Sequence, residues 1–546
     1  NFLTNDENGN AHSGDSYGRM KHVLGVTLDG YFGPDNYSFV AGADHPIVRS
    51  YAPGEVLGSY AAGYLQYYKQ HFSVAKSFAQ VITSTSSHSV AWAVELGGRS
   101  VHFSSPAVMA DTNLIWRAVL WSIYGDQPWV GMQVTRQAAV VVGRCDMDQS
   151  QDVNQVQQLY GALMPIIATW QTNYNFVGSY FVNIGNKPNQ GQTTNWAYSA
   201  GIYNALIDAG NEIGTHSYTH PNDTTLLTEA QLTFEFKDSR DIISAQLGID
   251  VVGAAVPGNP ENLAVDALLD NYFSYASADF SGTGAGYHGA VGFLKPDSNM
   301  VYLAPSFYFD FTMIGFLGYT AAQALAKWRE QYDALAAHAS SPFMVWPWHD
   351  YGPTSQVSAS YNEAMYTGFI SYAFAHGAEF TTGAEAAERI ISLTNAGVRV
   401  DTVDSDTLKV RVGGDVATGA MALRVETSNG RKIGSVDTWP AFNGDRVLLG
   451  EAGGTYVIHL SATGATTPHI SKLPMRARLK AAGLEMGTGG SGELTFTFTG
   501  KGAVDVSFPG GTYQPAAQGG DATTYNSNVL SIAFITDGDH SCVVTW

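Results

Sequence analysis

The stretch QAAVVVGRCDMDQS, residues 137–150, contains the strand from which the fold can be read. Its short, uninterrupted apolar run predicts a buried strand. The run ends where Asp146 and Asp148 alternate with Cys145 and Met147. Residues i and i+2 of an extended chain share a face, so we expect the two carboxylates to point the same way. Burying two close carboxylates is costly unless a cation or proton lies between them, although an isolated Asp-x-Asp is more often a turn.

Further strand and helix signals follow this stretch. The other predicted strands are NFVGSYFVNIG (175–185), DVVGAAVP (250–257) and PFMVWPWHD (342–350). Between them, residues 228–248 predict a helix with Thr228 as its cap, Gln231 at the capping-box position and Gly248 at its end. Repeated βα units predict that residues 136–397 form a distorted (β/α) barrel, in which functional residues lie on the loops that follow the strands.

Regions with different sequence patterns flank the predicted barrel. Residues 1–135 mix strand-like and helical segments, which predicts an α/β accessory domain. Its stretches HPIVRSYAPGEV (45–56) and GGRSVHFSSP (97–106) resemble the glutamine-amidotransferase-like fold, but no cysteine nucleophile accompanies them, so we expect a non-catalytic domain. Residues 398–546 alternate apolar and polar residues between Gly, Asn and Asp turns. This pattern predicts a C-terminal β-sandwich, either a jelly roll or an immunoglobulin-like, carbohydrate-binding type.

The composition restricts the classes of partner. The 546 residues include 48 acidic and 28 basic ones, a net charge of −20, so the surface offers no basic patch for nucleic acid or anionic lipid. No apolar stretch is long enough to span a membrane. Cys145 and Cys542 are the only cysteines, which excludes a disulfide framework. The chain begins at Asn1 without a signal peptide, so we expect a processed or excised segment of a periplasmic or extracellular protein.

Two sequence patterns that contain histidine indicate a candidate functional site. In HSYTHP, residues 216–221, the proline disfavours α conformation at His220, which predicts a loop that turns both imidazoles towards one point. Imidazole nitrogens suit zinc, and one carboxylate would complete the ligand set, although two surface histidines would give the same spacing. In WPWHDYG, residues 346–352, His349 closes an apolar strand among aromatic residues. Such rings could stack on a sugar, although aromatic residues at strand ends are usually core.

The order of these elements resembles the NodB-type polysaccharide deacetylases, that is, carbohydrate esterase family 4 and its relatives. HSYTHP matches the most specific element of the family, while GSYFVNIG (178–185) and FTTGAEAAERI (380–390) resemble its second strand and its closing segment. Within the family, the flanking regions are most similar to deacetylases of the bacterial Pel polysaccharide and next to those of fungal galactosaminogalactan.

The resemblance implies a role for each matching residue. Asp148, His216 and His220 would hold a divalent metal, zinc first. Asp146 would be the general base that deprotonates a metal-activated water, and His349 the general acid that protonates the departing amine. The candidate substrate-binding residues are Tyr308, Asp310, Trp346, Trp348 and Tyr351.

The sequence also departs from the family pattern. The first motif reads RCDMDQS instead of carrying two adjacent aspartates, and residues 253–262 lack the arginine that orients the base. Arg144 or another cation would have to replace that arginine, or the base would be oriented differently. The fourth motif is represented by SFYFDFTMI, residues 306–314, which contains Asp310.

The function implied by the resemblance is N-deacetylation of an exopolysaccharide of N-acetylgalactosamine or N-acetylglucosamine. Partner proteins would then belong to an exopolysaccharide export system. One alternative keeps the site but replaces the polymer with a small amide, imide or ester. Another is a carbohydrate-binding protein without activity, which the missing arginine favours and the presence of all five metal and acid–base candidates disfavours.

Overall fold

The computed structural model describes residues 8, 10, 21–42, 44–105, 114–150, 153–185, 194–258, 260–278, 291–339, 341–355, 358–413, 419–427 and 430–546, with backbone only at 22 and 153–158. The chain divides into two compact units. One comprises Asn1–Trp129, Ala337–Ser340 and Glu426–Gly430, and the other Val130–Ala336, Ser341–Val425 and Arg431–Trp546. None of the described helices is long and apolar enough to cross a membrane.

The first unit contains a five-stranded antiparallel sheet with the strand order β2-β1-β3-β4-β5. The strands are β1 (Val26–Ala41), β2 (Val56–Gln70), β3 (Ala75–Thr83), β4 (Ser87–Glu95) and β5 (Arg99–Phe103). The helical segments are α1 (Lys21–Leu24), a 3-10 turn at Pro46–Val48 and α2 (Leu114–Tyr124), and strand β6 (Trp129–Gln133) begins where the unit ends. Phe39 and Phe78 of the sheet share a core with Trp121 of α2.

The α/β layer predicted for residues 1–135 is wrong for the described part of this unit. Its neighbouring strands all run antiparallel, whereas a glutamine-amidotransferase-like α/β layer needs parallel strands. Residues 84–86 join β3 to β4 and residues 96–98 join β4 to β5. Parallel strands would need a crossover of roughly a dozen or more residues. The hairpin predicted at Gly97-Gly98 and the helix predicted from Leu114 are confirmed.

The second unit is built around a nine-stranded sheet with the order β12-β13-β11-β10-β9-β8-β7-β14, and β15 also pairs with β7. The strands are β7 (Ala139–Met147), β8 (Ser179–Val182), β9 (Glu212–Thr215), β10 (Gly253–Ala255), β11 (Tyr275–Ser277), β12 (Val291–Gly292), β13 (Val301–Leu303), β14 (Phe343–His349) and β15 (Ala378–Thr381). Within the described residues, the strand pairs of this sheet are parallel except β12 with β13.

Helices connect most of these strands. They are α3 (Val153–Tyr174), α4 (Trp196–Asp208), α5 (Glu229–Leu232), α6 (Ser239–Leu247), α7 (Leu263–Leu269), α8 (Ala321–His338), α9 (Glu363–Ala375) and α10 (Gly383–Asn395), with a 3-10 turn at Thr224–Leu226 and π-helical segments at Thr233–Asp238 and Thr312–Phe316. The capping box of Thr228 and Gln231 is present, and Gly248 ends α6 with φ of +69°. The π-helical segment between α5 and α6 was not predicted.

Strand β7 is buried along its whole length, as its apolar run predicts. Ala139 and Val141 face a core shared with α3 and α9, whereas Val140 and Val142 face a second core shared with α10. The N–H of Ser306, after β13, donates to the carbonyl of Val345 in β14 at 2.9 Å. Because these strands lie at opposite ends of the sheet order, the sheet curls into a barrel-like form; among the described residues, strand pairing does not close the ring.

The C-terminal region consists of antiparallel sheets, as predicted. Its strands are β16 (Gly397–Thr402), β17 (Thr407–Gly413), β18 (Ala422–Glu426), β19 (Lys432–Val436), β20 (Arg446–Leu448), β21 (Gly454–Ser461), β22 (His469–Lys472), β23 (Arg478–Met486), β24 (Gly492–Thr499), β25 (Gly502–Ser507), β26 (Ala516–Gln518), β27 (Ala522–Asn526), β28 (Val529–Phe534) and β29 (Asp539–Thr545), with a 3-10 turn at Thr488–Gly490.

These strands form two pairs of sheets instead of the single sandwich predicted for residues 398–546. The sheets β16-β17-β21-β19 and β20-β18-β6 make one pair, and β22-β25-β28-β27 and β23-β24-β29-β26 make the other. Val410 and Ile458 of the first pair belong to the same core as Val140 of β7. Phe496 and Ile532 of the second pair lie in a separate core.

Candidate active site

Strands β7, β9 and β14 carry polar side chains at their carboxyl ends, and the sequence predicted five of these as functional residues. His216, directly after β9, has its Nε2 atom 3.5 Å from Asp148 Oδ1 and 3.7 Å from Asp146 Oδ2. The Nε2 atom of His220 is 3.4 Å from the same Asp148 oxygen. His349, the last residue of β14, is the register partner of Asp146. The structure therefore brings all five residues to one edge of the sheet.

The two aspartates differ from the prediction in one respect. Strand β7 ends at Met147, so Asp148 lies in the following turn and not on the strand. Asp146 is 2% exposed, while the side chain of Asp148 is 16% exposed. Both carboxylates still lie within 3.7 Å of His216, which follows β9, a strand separated from β7 by β8.

The tautomer of His216 suits a metal ligand. The ring is buried, and its Nδ1 atom lies 3.0 Å from the carbonyl oxygen of Ala255 in β10. A carbonyl only accepts, so Nδ1 carries the hydrogen and Nε2 presents a lone pair towards the carboxylates. Burial lowers the pKa of His216 to about 4, which keeps the imidazole neutral at neutral pH.

The loop between the two histidines has a constrained backbone. Ser217 and His220 have φ of +74° and +58°, a left-handed conformation that few residues other than glycine adopt. The N–H of His220 donates to Ser217 Oγ at 3.0 Å. This confirms the predicted loop and explains how residues four apart can turn to one point outside a helix.

The side chain of Glu235 holds this loop by hydrogen bonds. Its carboxylate accepts hydrogen bonds from the N–H groups of Tyr218 and Thr219, at 3.0 and 2.7 Å, and from the Thr219 hydroxyl. Glu235 is buried and lies in the π-helical segment Thr233–Asp238. π-Bulges are rare and often occur at functional sites, and this one carries the residue that positions the loop of both histidines.

The donor set of Asp148, His216 and His220 fits a divalent metal. Their ligand atoms all lie within 4.8 Å of one another. Ligands bound at about 2.1 Å to a tetrahedral ion lie about 3.4 Å apart, which matches the separations of 3.4 and 3.5 Å between the histidine nitrogens and Asp148. Two imidazoles and one carboxylate suit zinc and related ions and leave positions for water.

Arg144 is the cation that pairs with Asp146. Its Nε and Nη2 atoms each donate to one oxygen of Asp146 at 2.8 Å. The guanidinium is itself held by the carbonyl oxygens of Ser277 and Val256, at 3.0 and 3.1 Å. Burial alone would raise the pKa of Asp146, but the arginine lowers it below the usual value, so the carboxylate is ionised at neutral pH.

His349 is paired with Asp310. The His349 Nδ1 atom lies 2.5 Å from Asp310 Oδ1, and the backbone N–H of His349 donates to Asp310 Oδ2 at 3.0 Å. Tyr366 donates its hydroxyl to Asp310 at 2.7 Å. Burial alone would lower the pKa of His349, but the fully buried Asp310 carboxylate raises it to about 10. His349 is therefore protonated at neutral pH, with Nε2–H as the proton not held by Asp310.

Most of the predicted substrate-binding residues have other positions. Trp346 and Trp348 are 0% and 1% exposed, so their prediction is wrong: both faces of β14 are covered and the rings pack in the core. Asp310 is also buried, and it contacts His349 instead of solvent. Tyr351 is buried and stacks on the His349 ring at 5.1 Å. Only Tyr308 of this set is exposed, at 42%.

Two positioning residues, Asp310 and Glu235, were not predicted in that role. Asp310 was assigned to substrate binding, and the order of aromatic residues around it contained no signal for a contact with His349. Glu235 lies in the helix predicted for residues 228–248, 15 residues after His220. It contacts the loop of the two histidines from the π-helical segment Thr233–Asp238, which was not predicted. A buried glutamate among the apolar positions of that helix was the one available signal.

Comparison with known proteins supports a deacetylase domain. Residues 171–271 match the family model for polysaccharide deacetylase; this segment includes His216, His220 and Glu235. This part of the barrel-like region is therefore similar to polysaccharide deacetylases, and Asp146, Asp148 and His349 lie outside the matched segment. No curated protein sequence matches the chain significantly.

The chain is also similar to several solved structures over part of its length. A probable polysaccharide deacetylase from Pseudomonas aeruginosa PAO1 has 14% identity and a TM-score of 0.36, over 46% of this chain and 91% of that one. The Xyl-CE4 domain of a multidomain xylanase from the hindgut metagenome of Trinervitermes trinervoides has 14% identity and a TM-score of 0.29, over 46% and 90%. A CE4 family pseudoenzyme from Bacillus anthracis has 14% identity and a TM-score of 0.30, over 45% and 65%.

Proposed function

We propose that this protein is a metal-dependent N-deacetylase of an N-acetylhexosamine polymer. The observation that carries the proposal is the placement of an ionised Asp146 and a protonated His349 beside the donor set of Asp148, His216 and His220. Amide hydrolysis needs both a proton acceptor for water and a proton donor for the leaving nitrogen. One edge of the sheet offers both at neutral pH.

The residues divide the reaction between them. A zinc ion or a related divalent cation, when bound by the donor set, would polarise the acetamide carbonyl and lower the pKa of water. Asp146, held by Arg144, takes a proton from water as the water oxygen forms its bond to the carbonyl carbon. His349, held by Asp310, gives its Nε2 proton to the amide nitrogen as the C–N bond breaks. The products are acetate and the free amine of the sugar.

Arg144 weakens the proposal of an inactive carbohydrate-binding protein. That reading depended on the missing arginine in residues 253–262. Arg144 holds Asp146 by two hydrogen bonds from the same strand, so the base does not lack an orienting cation. All five predicted functional residues also lie at one edge of the sheet.

The polymer, the sugar and the location are further parts of the proposal. N-acetylgalactosamine and N-acetylglucosamine polymers both carry the acetamide that this site would cleave, and deacetylation makes either polymer cationic. A protein of net charge −20 would hold that product by weak, salt-screened attraction. Because such exopolysaccharides lie outside the cytoplasm, we place the protein in the periplasm or outside the cell, with the proteins of an export system as partners.

Acetate release from acetylated hexosamine oligomers tests the proposed reaction. Asp146→Asn and His349→Gln should each reduce turnover by about 100-fold or more, since each removes an acid–base group. His376→Gln, which changes an exposed histidine, is the matched control and should retain wild-type turnover. Unchanged acetate release by Asp146→Asn would show that the base is assigned wrongly.

A further inference from the structure

Several exposed apolar side chains of the barrel-like region lie close to the candidate active site. Between residues 130 and 396, the described large apolar side chains that are exposed are Leu226, Phe234, Leu263, Tyr308, Phe311, Phe316 and Leu317. All seven follow β9, β10 or β13 in the chain. Scattered exposed apolar residues are normal, but ring contacts connect three of these, Phe234, Phe311 and Phe316, to the candidate active site, and exposed apolar side chains that adjoin a site indicate a binding surface.

One group of these side chains lies beside the proposed acid. The ring centroid of Phe311 is 6.3 Å from that of His349, and the ring of Phe316 meets Phe311 edge to face at 5.0 Å. Phe316 is 76% exposed and the adjacent Leu317 is 50% exposed. The group therefore runs from His349 outwards into solvent without a charged side chain among its members.

The backbone conformation explains why Phe311 and Phe316, five residues apart, come into contact. Residues 312–316 form a π-helical turn, and the N–H of Leu317 donates to the carbonyl of Thr312 at 3.0 Å. In an α-helix, side chains five residues apart diverge by about 140° around the axis. The wider π turn, with its i→i+5 hydrogen bond, brings them onto one face. The turn therefore presents the Phe316 ring beside Phe311, at the cost of exposing it.

A second aromatic pair lies near the metal ligands. Tyr218, between His216 and His220, stacks on Phe234 at 4.3 Å with 24° between the ring planes, and Phe234 is 40% exposed. Aromatic rings thus border the candidate active site both at the loop of His216 and His220 and at His349. A substrate longer than one sugar would meet an apolar surface next to the reacting group.

We propose that Phe311, Phe316 and Leu317 form a stacking subsite for a hexosamine ring that neighbours the ring being deacetylated. This inference rests on the proposed function and specifies its substrate as a chain. A pyranose presents a face of C–H groups to an aromatic ring, and an uncharged surface accepts that face whether the ring is acetylated or not. Phe316 is then a residue that favours chains over short substrates.

The test compares substrate length in matched variants. Phe316→Ala removes an exposed ring, and Ile535→Ala, at a residue 74% exposed in the C-terminal region, removes an exposed apolar side chain outside the barrel-like region. Acetate release is measured on the pentamer and the dimer of N-acetylglucosamine and of N-acetylgalactosamine. An aromatic contact of 0.5–1.5 kcal/mol predicts that Phe316→Ala lowers the ratio of kcat/KM for pentamer over dimer by roughly 2- to 12-fold. Ile535→Ala should leave that ratio unchanged.

The outcomes separate this inference from the proposed reaction. An unchanged ratio in Phe316→Ala, in a wild-type protein that releases acetate, overturns the subsite and leaves the deacetylase intact. If the wild type releases no acetate, binding of the pentamers is measured by calorimetry; weaker binding by Phe316→Ala than by Ile535→Ala supports the subsite without the reaction. Equal binding by both variants, no binding by the wild type, or loss of self-association in Phe316→Ala as the sole effect each overturn the subsite.

Discussion

Asp310→Asn is the substitution that examines the proposed acid most closely. Asparagine has nearly the shape of aspartate and can still accept the hydroxyl of Tyr366 and the N–H of His349, but it carries no charge. Asp310 is the main influence that raises the pKa of His349 against the effect of burial. Without that carboxylate, the pKa of the imidazole should fall to its ordinary value of 6.5 or below.

The size of the effect follows from the two pKa values. With a pKa of about 10, His349 is fully protonated near pH 7.5. With a pKa of 6.5, only about 9% of the molecules carry the proton at that pH, so kcat should fall at least about tenfold. The sign is fixed because the acid acts in its protonated form: activity is complete below the pKa and is lost above it. The alkaline limb of the pH–rate profile should therefore move to lower pH.

The assay is acetate release from an acetylated hexosamine oligomer between about pH 5 and pH 10.5, with metal content measured on the same samples. A bound divalent cation repels the imidazolium and lowers the pKa in both proteins, so the shift between them is the quantity to compare. Asp333→Asn, at an exposed carboxylate bonded to the hydroxyl of Tyr372, is the control. A variant Asp310→Asn with full metal content and an unmoved alkaline limb would refute this account of His349.

Three other substitutions test neighbouring parts of the site. Arg144→Lys keeps a positive charge but loses the two-pronged contact with Asp146, so the pKa of that carboxyl should rise and the acid limb of the profile should move to higher pH; an unmoved limb would contradict the role of Arg144. Glu235→Gln should weaken zinc binding by about 10- to 100-fold in a chelator competition, because the amide turns a donor towards the N–H groups of the ligand loop; unchanged affinity would make Glu235 a purely structural residue. Trp348→Ala should lower the free energy of unfolding by about 3–5 kcal/mol in urea titrations, whereas a higher KM at unchanged stability would restore the tryptophan to the substrate surface.

The sequence was informative where local chemistry and chain order coincide. The resemblance to polysaccharide deacetylases implied the ligand set Asp148, His216 and His220 and the role of His349. The pattern alone indicated only that these side chains follow apolar strands, whose ends a parallel sheet brings to one edge. The polysaccharide deacetylase resemblance, drawn from HSYTHP, agrees with the family model over residues 171–271. The roles assigned to individual residues stay predictions.

The contacts between distant segments could not be predicted. Asp310 reaches His349 across 39 residues of chain, and nothing in the local pattern distinguishes that contact from exposure to solvent. Trp346 and Trp348 were assigned to the substrate because strand ends border the site. Their burial depends on the helices that cover β14, which periodicity does not show.

The predictions for the two flanking regions failed for different physical reasons. In the first unit, the pairing of β1 with β2 contains four register shifts, and each shift interrupts the alternation by which a strand is recognised. In the C-terminal region, alternation identified the strands correctly. It says nothing about which strands pair, so two sheet pairs and one larger sandwich have the same sequence pattern.

The central claim is that one metal ion, held by Asp148, His216 and His220, is needed for deacetylation. The most direct measurement is divalent metal content and acetate release determined together in the wild type, in the chelated and zinc-restored protein, and in His216→Ala. We expect about one ion per chain in the wild type, parallel loss of ion and acetate release on chelation, recovery of both with zinc, and neither in His216→Ala. Full acetate release by a metal-free protein, or one tightly bound ion retained in His216→Ala, would contradict the account.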